Sequence, residues 1–425
     1  MRYWQLAGQR PFLIFWAGRI VSGLGDNLFM MATMWYVLNS TNSALLTSVV
    51  PLVPTLCLLL LGLPLAALAD RWPKRPALIW TDVVRGLAIL AFFGLMAYHI
   101  ESVFLIYLFN FIVTVGQLIF SPTQQTILPA VLRNRTDELP LATGMLSATS
   151  QLVRLVGYGA GGALVALIGA ANAVFVDAIS FFLSAASLVL LTIPAVGTSP
   201  PKKPGFAAFW KGSVAGIQFI WSIQPLRVLV LIGMAVNMSS APLQFFTAIF
   251  SRQVLHRGVT GYGALEGAAA IGALFGALVA GRYSKRLPLS LWMTMSLILT
   301  GLSLMAMTVI PVFWVALTLF GLAMGSSALF NVPFASALML LAPDDIRGRV
   351  MTAFGMFFSV SVPVGLVIGG WLTDIIGPRV IFLAIGAFLA LSSAWGIVVN
   401  RLEGLGPGGH HTSTQASPAG SPPIK

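Results

Sequence analysis

Between residues 12 and 400 the chain is a succession of apolar blocks, each close to the roughly 20 residues a helix needs to cross a bilayer, separated by short polar turns. In a hydrocarbon layer every backbone N–H and C=O must find its partner within the protein, so only helices and closed barrels can span it. Barrel strands are about 10 residues long with strict alternation, and these blocks fit neither requirement. A soluble fold fails on charge: 8% of the 425 residues are charged and 57% are hydrophobic, whereas a soluble surface draws on about 25% charged residues. The sequence therefore predicts an all-α polytopic membrane protein. Its twelve spans fall at about 12–36, 44–68, 77–98, 103–127, 141–168, 171–192, 226–250, 260–281, 289–309, 312–338, 349–373 and 379–400.

An even number of spans puts both termini on one side. Of the 24 basic residues, 17 lie in the terminal segments and connections on that side. Arg252, Arg257 and Arg379 lie in the opposite loops, and Arg19, Arg85, Arg154 and Arg227 lie within or at the edge of spans. This positive-inside pattern predicts that both termini are cytoplasmic, in a prokaryotic inner membrane. It also accounts for the net charge of +12 without a nucleic-acid partner. The single cysteine, Cys57, excludes an intramolecular disulfide. Met1 to Arg10 is short and polar, and the block after it is too long and too charged for a cleaved leader, so it reads as a permanent first helix.

The organisation that follows is a six-helix bundle at 1–193, a cytoplasmic linker at 194–225, a second six-helix bundle at 226–401 and a tail at 402–425. The linker joins TSPPKKPG to FAAFWKGSVAGIQFIW, which reads as an amphipathic helix lying on the membrane surface. The tail, rich in Gly, Pro, Ser and Thr, is expected to be disordered, and His410 and His411 in it do not make a metal site. The two bundles echo each other. ALADRWPKRP at 67–76 aligns with LVAGRYSKRL at 278–287, an offset of 211, and Gly161, Gly162 and Gly169 align with Gly369, Gly370 and Gly377 at an offset of 208. Parallel pseudo-symmetric repeats around a central loop are the plan of a carrier that rocks about a substrate site near the midplane.

Charges inside the spans mark candidate sites, because an ionised side chain at bilayer depth costs roughly 3 kcal/mol on insertion scales. Arg19 and Asp26 lie seven residues apart in WAGRIVSGLGDNLFMMATMWY, on one face of the first helix and about 10 Å apart along it. Asp26 is the leading proton site, with Arg19 or Arg154 as its structural partner if it is only a salt bridge. Glu266, in the Gly- and Ala-rich run GALEGAAAIGALFG, is the second. Arg154 in span five stands to neutralise Asp26 or to respond to its protonation. Asp177, some six residues into span six, is a candidate for the outer gate. Asp82 and Arg85, one turn apart, are expected to form a local pair steadying the loop before them.

Several of these stretches together resemble the major facilitator superfamily. Ala69-Asp70-Arg71-Trp72-Pro73-Lys74-Arg75 is similar to its cytoplasmic signature G-x-x-x-D-R-x-G-R-[RK], with Ala66 and Pro73 replacing the two glycines. Ser22 to Asp26, Thr81 to Arg85, Leu128-Pro129, Arg154 to Gly157 with Gly161-Gly162, Asp177 to Phe181 and Arg347-Gly348-Arg349 resemble the drug/proton antiporter branch that includes macrolide exporters and the enterobactin exporter. Tyr158 stands where that branch usually carries a proline. The resemblance implies a cytoplasmic gate in which Asp70, with Arg71, Lys74 and Arg75, latches against the second half near Arg347 and Arg349. In the second copy Gly281 replaces the acid, so the latch is expected to be asymmetric.

Gly157, Gly161 and Gly162 in span five, and Gly369 and Gly370 in span eleven, permit close helix crossing. Phe29, Met30, Met34, Gln124, Asn237, Phe245, Asn331 and Met356 are candidates for lining a substrate cavity, since thioethers, rings and amides suit bulky, partly lipophilic molecules. The resulting expectation is a monomeric secondary transporter in the lipid bilayer that exports amphipathic drug- or macrolide-like molecules in exchange for protons. Export of a siderophore, movement of a lysolipid and uncoupled facilitation are the alternatives. A polytopic enzyme or sensor is disfavoured, for no histidine or carboxylate cluster lies within the spans. No metal, nucleotide or organic cofactor is expected, and no glycine-rich stretch is followed by the Lys-Ser or Lys-Thr of a phosphate loop.

Overall fold

The computed structural model describes residues 9–98, 102–132, 135, 138–191, 206–283, 289–343 and 346–398. Among them the chain is helical, with no strand. The first half comprises α1 (Arg10–Thr41), α2 (Ala44–Arg71), α3 (Lys74–Ala97), α4 (Val103–Val131) and α5 (Leu139–Leu190). After α6 (Phe206–Ser222), the second half comprises α7 (Gln224–Ser240), α8 (Leu243–Gln253), α9 (Gly258–Tyr283), α10 (Leu289–Val309), α11 (Phe313–Leu341), α12 (Arg347–Ile376) and α13 (Pro378–Val398). Nine segments among the described residues are long and apolar enough to cross a membrane. One of them, α5, makes two passes; with α1 and α13 the described residues supply twelve passes, the number expected.

The boundaries follow from local chemistry. Asn42 ends α1 in the left-handed region, with φ 57°, and Ser43 caps α2 by accepting from the Leu46 amide at 3.2 Å. Spans five and six have no loop between them: Gly169, with φ 83° and ψ 160°, turns the chain by itself. Gly377 repeats that geometry, with φ 82° and ψ 159°, between α12 and α13. The 208-residue sequence echo is thus an echo of backbone conformation. Span seven departs from the expected continuous helix and breaks into α7 and α8 at Ala241-Pro242. Proline has no N–H to donate, and the carbonyl of Met238, four residues back, lies against Gly365 of α12.

We call the end of the bundle that carries the turns at 42, 169, 254–257 and 377 the distal end. Contacts between the halves gather there. Asp374, near the end of α12, accepts from the Ser43 hydroxyl at 2.6 Å and from the amides of Ala44 and Leu45 at 2.6 and 3.1 Å, capping α2 from the other half. Arg252 donates to the Leu38 carbonyl, and the Tyr262 hydroxyl lies 3.7 Å from the Met34 sulfur. A methyl group on Gly162 would lie 2.6 Å from the Cα of Gly263, so α5 and α9 touch backbone to backbone. The linker helix α6 packs on α12: Gly216 abuts the Arg349 backbone and Trp221 meets Phe357 at 6.1 Å between rings. Lys202, Lys203, Lys285, Arg286, His99 and the tail with His410 and His411 lie outside the described residues.

Candidate functional site

Asp26, Asp82 and Arg85 of the first half converge within its helices. Asp82 and Arg85 lie 8 and 11 residues past Lys74, roughly 12 and 16 Å into α3. They face each other one turn apart, as expected, but deep in the helix and away from the loop, and are 0% and 1% exposed. Arg85 donates to Asp26 of α1 at 2.7 Å, so the partner of Asp26 is neither Arg19 nor Arg154. Its other terminal nitrogen lies 3.6 Å from Asp82 Oδ1, while Asp82 Oδ2 accepts from Ser184 of α5 at 2.6 Å. The guanidinium lies over the Phe181 ring at 4.0 Å, a contact worth about 2 kcal/mol when desolvated. Gly116 of α4 makes room for its stem.

One cavity adjoins this cluster, and a second shares Arg154 with the first. The first, of about 200 Å³, is lined by Arg19, Asp26 and Asn27 of α1, Gln124 of α4 and Arg154 of α5. Asp26 remains 31% exposed toward it. Arg19 lies 5.2 Å from the Phe120 ring and has one buried nitrogen without a hydrogen-bond partner. The second, of about 330 Å³, lies between the halves. Its wall includes Met30, Met34, Arg154 and Tyr158 from the first half, and Gln244, Tyr262, Glu266, Met324 and Asn331 from the second. Glu266 accepts from Thr247 of α8 at 2.7 Å. Arg154 borders both cavities and so joins the surroundings of Asp26 to those of Glu266. A third recess of about 500 Å³ opens at the distal end beside Trp35, Gly169 and Arg257.

Of the expected lining residues, Met30, Met34 and Asn331 face the cavity between the halves and Gln124 faces the smaller one. Phe29 and Phe245 do not: Phe29 is packed against Phe92 at 6.4 Å, and Phe245 against Phe246 at 4.5 Å. Both rings are too well buried in helix contacts to meet a solute. Asn237 donates to the Gly233 carbonyl of its own helix, and Met356 borders neither cavity. Asp177, expected at an outer gate, is fully buried inside the first half beside Gly25, with Ser180 donating to it at 3.1 Å. It is packed within one half and is not on the seam between the two.

At the other end, Lys74 lies 3.9 Å from Asp70 and donates to the carbonyls of Ala69 and Asp70 at 3.0 Å each. Arg75 donates to the Leu188 and Val189 carbonyls at 3.1 and 2.6 Å, tying this turn to the end of α5. Arg71 and Arg349 are exposed, and Arg347 donates to the Ala342 carbonyl. The expected crossing glycines sit at helix contacts: Gly157 and Gly161 against α1, Gly162 against α9, Gly369 against Pro242 and Gly370 against Ser48 of α2. Reasoning from sequence missed Arg85 as the ion partner of Asp26, although its depth in α3 was a signal. It also missed Asp374, Thr247 and Tyr262, whose partners lie on other helices.

Comparison with known proteins follows the same lines. The sequence profile of the Major Facilitator Superfamily matches residues 15–361 and 253–420. The multidrug efflux pump Tap of Mycolicibacterium fortuitum is 26% identical over 410 residues, covering 93% of this chain and 97% of that one. Macrolide efflux protein A of Streptococcus pyogenes is 23% identical over 413 residues, covering 93% and 97%. Among solved structures, a bacterial homologue of the human lysosomal transporter Spinster, inward-facing and unoccupied, superposes with a TM-score of 0.72 at 16% identity, covering 93% of this chain and 98% of that one. The nucleoside transporter NupG gives 0.73 at 12% identity, covering 92% and 99%. These structural likenesses bear on the fold alone.

Proposed function

The chain belongs to the Major Facilitator Superfamily, and from that premise we propose that it exports amphipathic, drug- or macrolide-like molecules by alternating access in exchange for protons. The observation that carries this reading is the cavity between the halves, where thioethers and tyrosines surround one carboxylate, Glu266, and one guanidinium, Arg154. Such a wall takes up a bulky apolar body and fixes a polar group at one point. The efflux pumps similar to it along nearly its whole length support the direction of transport.

In this reading the protein sits in a prokaryotic inner membrane with both termini in the cytoplasm, and its distal end faces outward. The Asp374 cap, the Gly162–Gly263 crossing and the Arg252–Leu38 bond then hold the outer side closed. A substrate entering from the cytoplasm meets Arg154, Glu266 and Asn331. Protons arriving from outside bind at Asp26 or Glu266, change the charge of the cavity and help release the substrate. Asp70 and the basic residues of its turn stabilise the opposite, outward-open arrangement.

The test is efflux of ethidium and erythromycin from vesicles under an imposed pH gradient, comparing the wild type with Asp26→Asn and Glu266→Gln. Transport of either compound that follows the gradient and falls at least about tenfold in one variant, on the order of 1.4 kcal/mol, is the expected result. Equal transport with and without the gradient, in the wild type and both variants, contradicts proton exchange.

A further inference from the structure

Arg85 faces two carboxylates, and it has completed a bond to only one. Its terminal nitrogen at Asp26 is at 2.7 Å. Its other terminal nitrogen and Asp82 Oδ1 are 3.6 Å apart, and both are buried without a hydrogen-bond partner. A donor and an acceptor that face each other just beyond bonding distance, each otherwise unsatisfied, make an unfilled second position for the guanidinium. Building on the proton-exchange reading above, we propose that Arg85 is a positioning residue with two alternative partners, Asp26 on the cavity side and Asp82 on the core side. Protonation of Asp26 hands it from the first to the second.

The surroundings suit such a transfer. Arg85 is 1% exposed, so water cannot take over when Asp26 is neutralised, and a second carboxylate must. Asp82 is held in place through its other oxygen by Ser184, which leaves Oδ1 turned to the guanidinium. Phe181 lies beneath the cation, 4.0 Å from its ring centre, and Gly116 gives the stem its room, since a methyl group there would sit 2.7 Å from Arg85 Cγ. Closing from 3.6 Å to a charge-assisted bond of about 2.8 Å takes less than about 1 Å of motion.

The titratable and charged groups facing Asp26, Arg85 and Asp82 are Arg19 of α1 and Asp177, Arg154 and Tyr158 of α5. From α4 come Gly116 and Phe120, neither of which titrates. The step adds one proton to Asp26 and forms one O–H bond; the departing guanidinium keeps its own protons. Asp26, released, is free to turn into the cavity that holds Arg154 and Gln124. Proton binding is thereby converted into a displacement between α1 and α3.

The experiment uses the full chain in proteoliposomes with ethidium as the probe, recording gradient-driven efflux and ethidium exchange at equal pH. Asp82→Asn keeps a group for Ser184 but removes the second charge, so gradient-driven efflux is expected to fall at least tenfold more than exchange does. Arg85→Lys is expected to retain more gradient-driven transport than Arg85→Gln. Equal loss of both activities in Asp82→Asn, or gradient-driven transport as in the wild type, overturns the proposal. A wild type indifferent to the gradient would fail the proton-exchange reading itself, and the proposal with it, and is recognised because no variant is needed to see it. A second measurement is read on the wild type and does not need Asp82→Asn. Infrared difference spectra of the wild type on acidification should show a carboxyl band together with a guanidinium band change, both absent in Asp26→Asn. A carboxyl band with no guanidinium change overturns the transfer.

Discussion

At the scale of single residues, the site is a set of polar atoms whose satisfaction comes from other helices. Glu266 is the case with the simplest partner: one hydroxyl, Thr247, donates to it at 2.7 Å across the α8–α9 contact. Replacing Thr247 by Val keeps the shape and removes the donor, which costs about 1 to 2 kcal/mol for a bond to a carboxylate. Ethidium transport should fall about five- to thirtyfold, and Thr247→Ser, which restores the hydroxyl, should recover most of it. Loss of Arg85 is a heavier change. Arg85→Gln leaves two carboxylates facing each other without their cation, and breaking such a buried pair costs about 3 kcal/mol or more. Thermal unfolding in detergent should show this as a clear drop in Tm, smaller for Arg85→Lys.

At the scale of elements, two of the contacts between the halves at the distal end differ in make-up. The α5–α9 crossing is steric. A valine at Gly162 would press on the Gly263 backbone, which cannot give way, so Gly162→Val is expected to destabilise the fold by about 1 to 3 kcal/mol and to abolish transport. The α2–α12 contact adds a polar cap to a close crossing at Gly370: the Asp374 carboxylate accepts from three donors at the start of α2, and opening this end requires water to replace them. In a Cys57→Ser background, with a cysteine at Met30 in the cavity wall, a membrane-impermeant maleimide added outside should label Asp374→Ala several-fold faster than its parent. Unchanged labelling would mean that this cap does not hold the distal end closed. The cap was not foreseen, because Asp374 carries no motif and its partner lies 330 residues away.

At the scale of the whole molecule, the fold was legible because the bilayer admits so few architectures: apolar blocks of spanning length predict helices, and their repeat predicts two bundles. Even the turn geometry was foreshadowed, since Gly169 and Gly377 stand at matching places and adopt matching backbone angles. The site was legible only in part. Intramembrane charge singled out Asp26, Glu266 and Arg154, and these border the two cavities, which share Arg154. Partner choice was not readable, because Asp26 and Arg85 meet across 59 residues of sequence through the packing of α1 on α3. Nor could the sequence separate Met30 and Met34, on the cavity wall, from Phe29 beside them, because a rotation of one residue about the helix decides which faces solute and which faces protein. What unites the cavities, the distal closure and the charge cluster is the claim that outward movement of substrate is tied to inward movement of protons. The most direct measurement records both fluxes at once in proteoliposomes loaded with ethidium, using a pH-sensitive dye for protons and fluorescence for the probe. The account predicts proton entry that starts with ethidium release, keeps a constant ratio to it, and is lost together with it in Asp26→Asn or Glu266→Gln. Ethidium release at an undiminished rate with no accompanying proton movement would contradict it.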